Sequence, residues 1–138
     1  MSPAGLTRDA GWQIGVRRTV AADPRDVWRV LRSAEGLRVW LGGEIELSAG
    51  TAYRLADGTE GEVRVDEPGS HLRVTWRPPG WGRASLIQVR VLPAARGATL
   101  AFHQEHLPDE AARGAMRERW LGVIERLRPL LDRPPEGS

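Results

Sequence analysis

Residues 71–104 read HLRVTWRPPGWGRASLIQVRVLPAARGATLAFHQ. Within this stretch, three segments alternate apolar and polar side chains, a pattern typical of half-buried β-strands. The alternating segments are 71–77, 85–91 and 98–104. Clusters of proline and glycine at 78–82 and 93–97 separate these segments and predict turns. Because short connections join consecutive strands in an antiparallel manner, the stretch predicts an antiparallel sheet with one apolar face.

Further strands are predicted on the N-terminal side of this stretch, at 12–20, 44–47, 51–55 and 59–65. Two short helices interrupt the series after the first strand. Asp23 and Pro24 form a pair typical of a helix N-terminus, because aspartate caps free amides and proline suits the first helical position. A second helix is predicted over 33–41, before a glycine pair that would end it.

The longest predicted helix covers 108–131, where apolar side chains recur at helical spacing along one face. This apolar face consists of Ala112, Met116, Trp120, Val123, Ile124, Leu127 and Leu131. The sequence therefore predicts an α+β fold in the order strand, two helices, six strands, helix. We expect a curved antiparallel sheet of six to seven strands around this C-terminal helix. A single domain would cover 12–131, between a flexible leader at 1–11 and a flexible tail at 132–138.

The composition of the 138-residue chain excludes several classes of function. It has no cysteine, which excludes disulfides, thiol catalysis and cysteine-based zinc sites. The 20 cationic side chains, all arginines, are dispersed among 18 acidic ones, so no basic patch predicts nucleic-acid binding. No apolar run is long enough for a membrane span, and the N-terminus lacks the pattern of a secretory signal. We therefore expect a cytoplasmic protein.

Several segments together resemble a known superfamily. They are residues 20–28 (VAADPRDVW), Leu31, Leu37, Trp40, residues 72–76 (LRVTW), residues 97–105 (GATLAFHQE), Met116, Trp120 and Leu127. The chain resembles the SRPBCC superfamily of START-like and birch-pollen-allergen-like proteins. Within it, the chain is most similar to bacterial homologues of the activator of heat-shock-protein ATPase. The resemblance extends over about 12–131.

The resemblance implies a helix-grip fold with an apolar cavity between the sheet and the C-terminal helix. Members of the superfamily hold lipids, polyketides or other apolar molecules there, and some members are cyclases, hydrolases or dehydratases. They share no single catalytic motif, so the resemblance implies no catalytic residues for this chain. One departure affects the expected pocket: Leu41 follows Trp40, where related chains often have a second aromatic residue.

The residues predicted to face inward form the candidate ligand-binding set. They are Trp28, Leu31, Trp40, Tyr53, Trp76, Ile87, Val89, Leu100, Phe102, Gln104, Met116, Trp120 and Ile124. Such a set either packs as a core or lines an apolar pocket with a few polar anchors. The Tyr53 hydroxyl and the indole N–H groups could orient the polar end of a ligand. Gln104 is either an anchor at the mouth of the cavity or a strand-end residue that bonds a neighbouring loop.

Catalysis in the same cavity is the first alternative, with Gln104, Tyr53, Arg18 or His103 supplying polar groups. We expect no metal and no cofactor, because His103 and His106 have opposite parity on their strand. No nucleophile elbow or phosphate-binding loop is present. The glutamate pairs, Glu44 with Glu46 and Glu60 with Glu62, fall on the outward face.

Protein partners are the remaining alternative. Trp81 lies in a glycine- and proline-rich loop, where it could either anchor a partner or pack on the neighbouring hairpin. A homodimer could form through Trp81 or through an edge strand. A role as a chaperone-cofactor-like module is implied only by the resemblance to the activator homologues.

Overall fold

The structure is a computed structural model that describes residues 5–7 and 11–132. The strands of the described part are β1 (Leu6–Thr7), β2 (Gly11–Val20), β3 (Ala52–Arg54), β4 (Glu60–Glu67), β5 (His71–Trp76), β6 (Ser85–Ala94) and β7 (Gly97–Leu107). The helices are α1 (Pro24–Arg32), α2 (Ala34–Trp40) and α3 (Glu110–Leu131). The strands form one antiparallel sheet in the order β1-β2-β7-β6-β5-β4-β3. The predicted α+β helix-grip fold is confirmed.

The apolar face of the sheet is built from rows of side chains that align across neighbouring strands. Phe102 of β7 pairs with Val16 of β2 on one side and with Val89 of β6 on the other. Val89 in turn pairs with Leu72 of β5. Side chains of directly paired residues on neighbouring strands point to the same face of the sheet. This register therefore places all four side chains in the core. The core therefore runs across the middle of the sheet.

α3 covers this apolar face with one side of the helix. Its buried residues are Met116, Trp120, Val123, Ile124 and Leu127, which confirms most of the predicted apolar face. The helix begins at Glu110 rather than at 108, because Asp109 is the cap and accepts a hydrogen bond from the amide of Ala112 at 2.7 Å. In the described part of the chain, no helix has the length and apolar character needed to cross a membrane.

α1 and α2 are joined with no intervening loop. The Ser33 side chain accepts from the Gly36 amide at 3.0 Å, so Ser33 ends α1 and caps α2. A Cβ atom at Gly36 would lie 1.8 Å from the Val30 carbonyl oxygen, so this close approach requires glycine. The sharp turn brings Leu37 and Trp40 of α2 into the core beside α1.

We expect Asp23→Ala to lower the free energy of unfolding by about 1 kcal/mol. The Asp23 carboxylate accepts from the Arg25 amide at 2.8 Å and caps α1. Asp26→Ala is the matched control, because Asp26 lies in the first turn of the same helix and its carboxylate forms an exposed ion pair with Arg29 at 3.7 Å, while the cap is Asp23. Urea unfolding followed by circular dichroism would measure both losses. Equal losses would contradict the capping role.

One part of the sequence prediction was wrong. Residues 44–47 form no strand, although Ile45 and Leu47 are half-buried against the core as their alternation predicts. The segment does not pair with β4. The backbone N–H and carbonyl oxygen of Val63 in β4 are hydrogen-bonded to Thr51 and Gly50 instead. Conversely, Leu6–Thr7 lie in the predicted leader and pair with β2. The remainder of that leader, at 1–4 and 8–10, and the tail at 133–138 lie outside the described residues.

Candidate ligand-binding site

All thirteen residues of the predicted ligand-binding set lie in one continuous core between the sheet and the helices. Their exposed fractions range from 0% to 7%. At the centre, the ring of Phe102 stacks on that of Trp120, with centroids 4.5 Å apart and planes inclined by 11°. Trp40 packs against the same phenylalanine at 6.4 Å. The middle of the predicted site is therefore filled by aromatic side chains.

Gln104 lies inside the core with 0% exposure, rather than at the mouth of a cavity or beside a loop. Its Oε1 atom accepts from the Trp120 indole N–H at 3.1 Å, and its Nε2 atom donates to Ser85 Oγ at 2.9 Å. Ser85 in turn donates to the Trp76 carbonyl oxygen at 2.6 Å. This buried network, which Trp120, Gln104, Ser85 and Trp76 form, links α3 to three adjacent strands. The sequence did not predict Ser85 as part of it.

Tyr53 also has its polar group satisfied within the protein. The hydroxyl donates to the Thr75 carbonyl oxygen at 2.5 Å, across Gly61 of the intervening strand. A Cβ atom at Gly61 would lie 2.6 Å from the tyrosine oxygen, so glycine makes this crossing possible. Burial raises the pKa of Tyr53 well above its usual range, because the phenolate would lose its hydration.

The four residues considered for catalysis do not meet in one place. Gln104 and Tyr53 are buried on strands β7 and β3, which are separated in the sheet by β6, β5 and β4. Arg18 is exposed and donates to the carbonyl oxygen of its neighbour Arg17. His103 is half-buried, and its Nε2 atom lies 2.9 Å from Gln13 Oε1. Within residues 5–7 and 11–132, no three carboxylate or imidazole groups are placed to hold a metal ion.

Arg119 of α3 is a site residue that the sequence analysis missed. Its guanidinium carbon lies 5.2 Å from the centre of the Trp76 ring and 5.9 Å from that of Trp120, within the range of cation–π contacts. The Nη2 atom donates to the Trp40 carbonyl oxygen at 3.5 Å. Nε is buried and has no hydrogen-bond acceptor among the described residues. The spacing could have revealed this position, because 119 is three residues after Met116 and four before Val123 on the buried face.

The surroundings of Arg119 form one end of the core. Trp81 packs edge-on against Trp76 with ring centroids 5.6 Å apart, so the loop after β5 folds back over this end. A Cβ atom at Gly42, which has a φ of 110°, would lie 3.3 Å from Leu55 and 3.9 Å from Arg119 Nη2. We call Gly42, Leu55, Trp76, Trp81 and Arg119 the arginine end. Trp81 thus packs on the neighbouring strand, which is one of the two arrangements that the sequence predicts for it.

Two charged side chains act on Arg119 at the arginine end. Burial and the nearby charge of Arg126 lower the pKa of Arg119, while Asp57 acts in the opposite direction. Arg119 forms no salt bridge with a carboxylate of the described residues. Asp57 instead accepts from the Thr59 amide at 2.9 Å within the turn between β3 and β4, and this bond lowers the pKa of Asp57.

Sequence comparison with protein families decides the affiliation of the chain. Residues 21–132 match the family described as Activator of Hsp90 ATPase homolog 1-like protein. The chain belongs to this family. No curated protein sequence matches the chain. The resemblance predicted from residues 20–28 and the later segments is thus confirmed for this Hsp90-activator-like family.

Solved structures with the same fold include bacterial and eukaryotic proteins. Protein MLL2253 from Mesorhizobium loti is 25% identical, with a TM-score of 0.75 over 89% of this chain and 98% of its own. CalU16 from Micromonospora echinospora is 18% identical, with a TM-score of 0.76 over 91% of this chain and 77% of its own. An Hsp90 activator from Plasmodium falciparum is 14% identical, with a TM-score of 0.72 over 88% of this chain and 97% of its own. These likenesses support the fold of the Hsp90-activator-like family.

Proposed function

We propose that the protein binds a small hydrophobic ligand between the sheet and α3, close to the arginine end. The observation that carries this proposal is a pair of buried donors without acceptors. Trp28 Nε1 and Arg119 Nε both lie buried, and neither has a partner among the described residues. They are two of four buried polar side-chain atoms that have no partner among the described residues, and an ordered water or a ligand would supply the acceptors. Aromatic and aliphatic side chains around Arg119 favour a ligand with an apolar body.

Binding is favoured over catalysis because the polar groups considered for catalysis are already engaged. Gln104 bonds Trp120 and Ser85, and Tyr53 bonds the Thr75 carbonyl oxygen. A general acid or base needs to be within reach of the substrate and to exchange its proton near the working pH. Tyr53, with its raised pKa, does not exchange its proton there. A cyclase-like or hydrolase-like activity would therefore need groups beyond these two.

A titration with neutral apolar probes tests the proposal. Decanol, 2-naphthalenemethanol and flavone would be added while tryptophan emission and the melting temperature are recorded. We expect a saturable change in emission for at least one probe, because Trp76 and Trp81 lie at the arginine end. A probe at a hundred times its dissociation constant should stabilise the protein by about 2.7 kcal/mol. The absence of saturable binding by every probe would contradict the proposal.

A control variant distinguishes binding in the core from non-specific binding of the probes to the protein surface. Leu92 is a large apolar side chain that is exposed on β6, at the opposite parity to the buried Val91. Leu92→Ser should therefore leave the titration unchanged. A loss of binding in this variant would place the probe on the outer surface instead of in the core.

A chaperone-cofactor-like role is the second candidate. The family description and the Plasmodium neighbour both refer to activation of Hsp90, and the fold is shared. A stoichiometric complex of the purified protein with an Hsp90-type chaperone, measured by size-exclusion chromatography, would favour this role. Its formation in the absence of any probe binding would replace the ligand proposal.

A further inference from the structure

We propose that the arginine end selects ligands that carry a carboxylate, with Arg119 as the group that binds it. This inference deepens the proposed function and rests on it. Its starting point is that the Nε atom of Arg119 has no acceptor among the described residues, whereas Nε of Arg73 bonds Gln88 and Nε of Arg113 bonds the Gln13 carbonyl oxygen. Arg32 pairs with Asp66, and Arg77 pairs with Glu60 at 2.5 Å. Arg119 has only a carbonyl oxygen at 3.5 Å and no carboxylate among the described residues.

A half-buried cation without a counter-charge is unfavourable by itself. Removing a guanidinium from water raises its free energy unless an anion and hydrogen bonds replace the lost hydration. The lowered pKa of Arg119 reflects this burial together with repulsion by Arg126. An incoming carboxylate would offset both effects, because it would supply an opposite charge and would accept hydrogen bonds from the guanidinium.

The aromatic contacts leave the guanidinium edges as its remaining polar surface. Trp76 and Trp120 both lie within 5.9 Å of the guanidinium carbon, so cation–π attraction holds the group in place. A guanidinium presents its N–H groups in its own plane, in a fork that matches the two oxygens of a carboxylate. Such a match is stronger than a single bond to a neutral hydroxyl.

Local geometry also keeps this group from being neutralised by the protein. Asp57, whose charge acts on Arg119, is held in its own turn by the Thr59 amide. Gly42 presents no side chain toward Arg119, where a Cβ atom would lie 3.9 Å from Nη2. Because the φ of Gly42 is 110°, a substitution that added a side chain there would also strain the backbone. The apolar body of the ligand would pack against Leu55 and Trp81, which belong to the arginine end.

Paired probes that differ only in charge test the inference. Dissociation constants for decanoate and decanol would be measured by tryptophan fluorescence at pH 7, for the wild type and for Arg119→Gln. We expect the variant to lose about tenfold or more in affinity for decanoate, as for a charge-assisted hydrogen bond, and to lose much less in affinity for decanol, whose hydroxyl group makes a single neutral bond. Arg117→Gln is the matched control, because Arg117 is exposed on the same helix and pairs with Glu118. It should bind both probes as the wild type does.

The outcomes separate this inference from the proposed function. If decanol and decanoate bind equally well to the wild type and to Arg119→Gln, the carboxylate preference is wrong while ligand binding stands. If neither these probes nor the neutral panel binds the wild type, both proposals fail. Should Arg119→Gln not fold, Arg119→Lys keeps the positive charge without the planar fork and should weaken decanoate binding selectively. Undiminished decanoate binding by a folded Arg119→Lys variant would overturn the forked geometry.

Discussion

Replacement of Trp120 by alanine should lower the free energy of unfolding by about 3–5 kcal/mol. The indole is fully buried and stacks on Phe102 with centroids 4.5 Å apart. Its removal would leave a cavity in the centre of the core, since the surrounding sheet and helix relax only partly. The loss would also deprive Gln104 Oε1 of its buried donor. Urea unfolding at neutral pH would measure the change.

A graded control separates packing from hydrogen bonding. Trp120→Phe retains an aromatic ring against Phe102 but removes the donor to Gln104, so we expect a smaller loss of about 1–3 kcal/mol. Trp12→Ala removes a half-buried indole at the start of β2 and should be milder than Trp120→Ala. A loss at Trp120→Ala no larger than that at Trp12→Ala would contradict the central role of the stack.

The free energy of unfolding should fall by about 2 kcal/mol between pH 10 and pH 12 because of Tyr53. The folded pKa of this residue is raised above the unfolded value of about 10, because burial disfavours the phenolate. Its contribution is therefore fully present below pH 10 and is lost as the pH rises toward the folded pKa. Above pH 10 the slope approaches about 1.4 kcal/mol for each pH unit.

The composition makes this effect unusually easy to isolate. The chain has one tyrosine, no cysteine and no lysine, so few other groups titrate in this range. In Tyr53→Phe, the free energy of unfolding should not fall over this pH range. The variant retains Arg119, whose lowered pKa acts in the opposite direction and would raise the free energy of unfolding as the pH rises. Unfolding by urea at several pH values and phenolate absorbance would be measured together. Phenolate formation near pH 10 in the folded protein would contradict the buried environment of Tyr53.

Alternation predicted most of the strands because their apolar parity and their backbone pairing coincide. At residues 44–47, apolar alternation occurs without backbone pairing. Ile45 and Leu47 are half-buried while Glu44 and Glu46 are exposed, yet the segment is not a strand of the sheet. The pattern reports which side chains are buried, whereas pairing depends on which sheet edge is free. That second condition is a property of the whole topology and cannot be found in the segment itself.

The candidate site shows a similar division. Inward parity correctly placed the aromatic set in the core, because burial follows from the period of each element. The role of Gln104 depends on Ser85 and Trp120, which are distant in sequence and meet only through the register of β6 with β7 and the position of α3. The charge of Arg119 favours the solvent-facing side of its helix, and the residue is not among the predicted inward-facing set. Trp120 is its neighbour on the same helix, whereas Trp76 and the Trp40 carbonyl oxygen come from other elements, and no pattern within α3 indicates those two.

The buried network also determines where α3 sits along its own axis. Apolar side chains would tolerate small sliding movements of a helix over a sheet, because dispersion contacts have little directionality. The bond from Trp120 to Gln104 is directional, and Ser85 fixes the glutamine from the other side. A displacement of the helix by one residue, about 1.5 Å along the axis and about 100° around it, would break that bond inside the core. A single hydrogen-bonded glutamine thereby selects one docking position from the several that hydrophobic packing alone would allow.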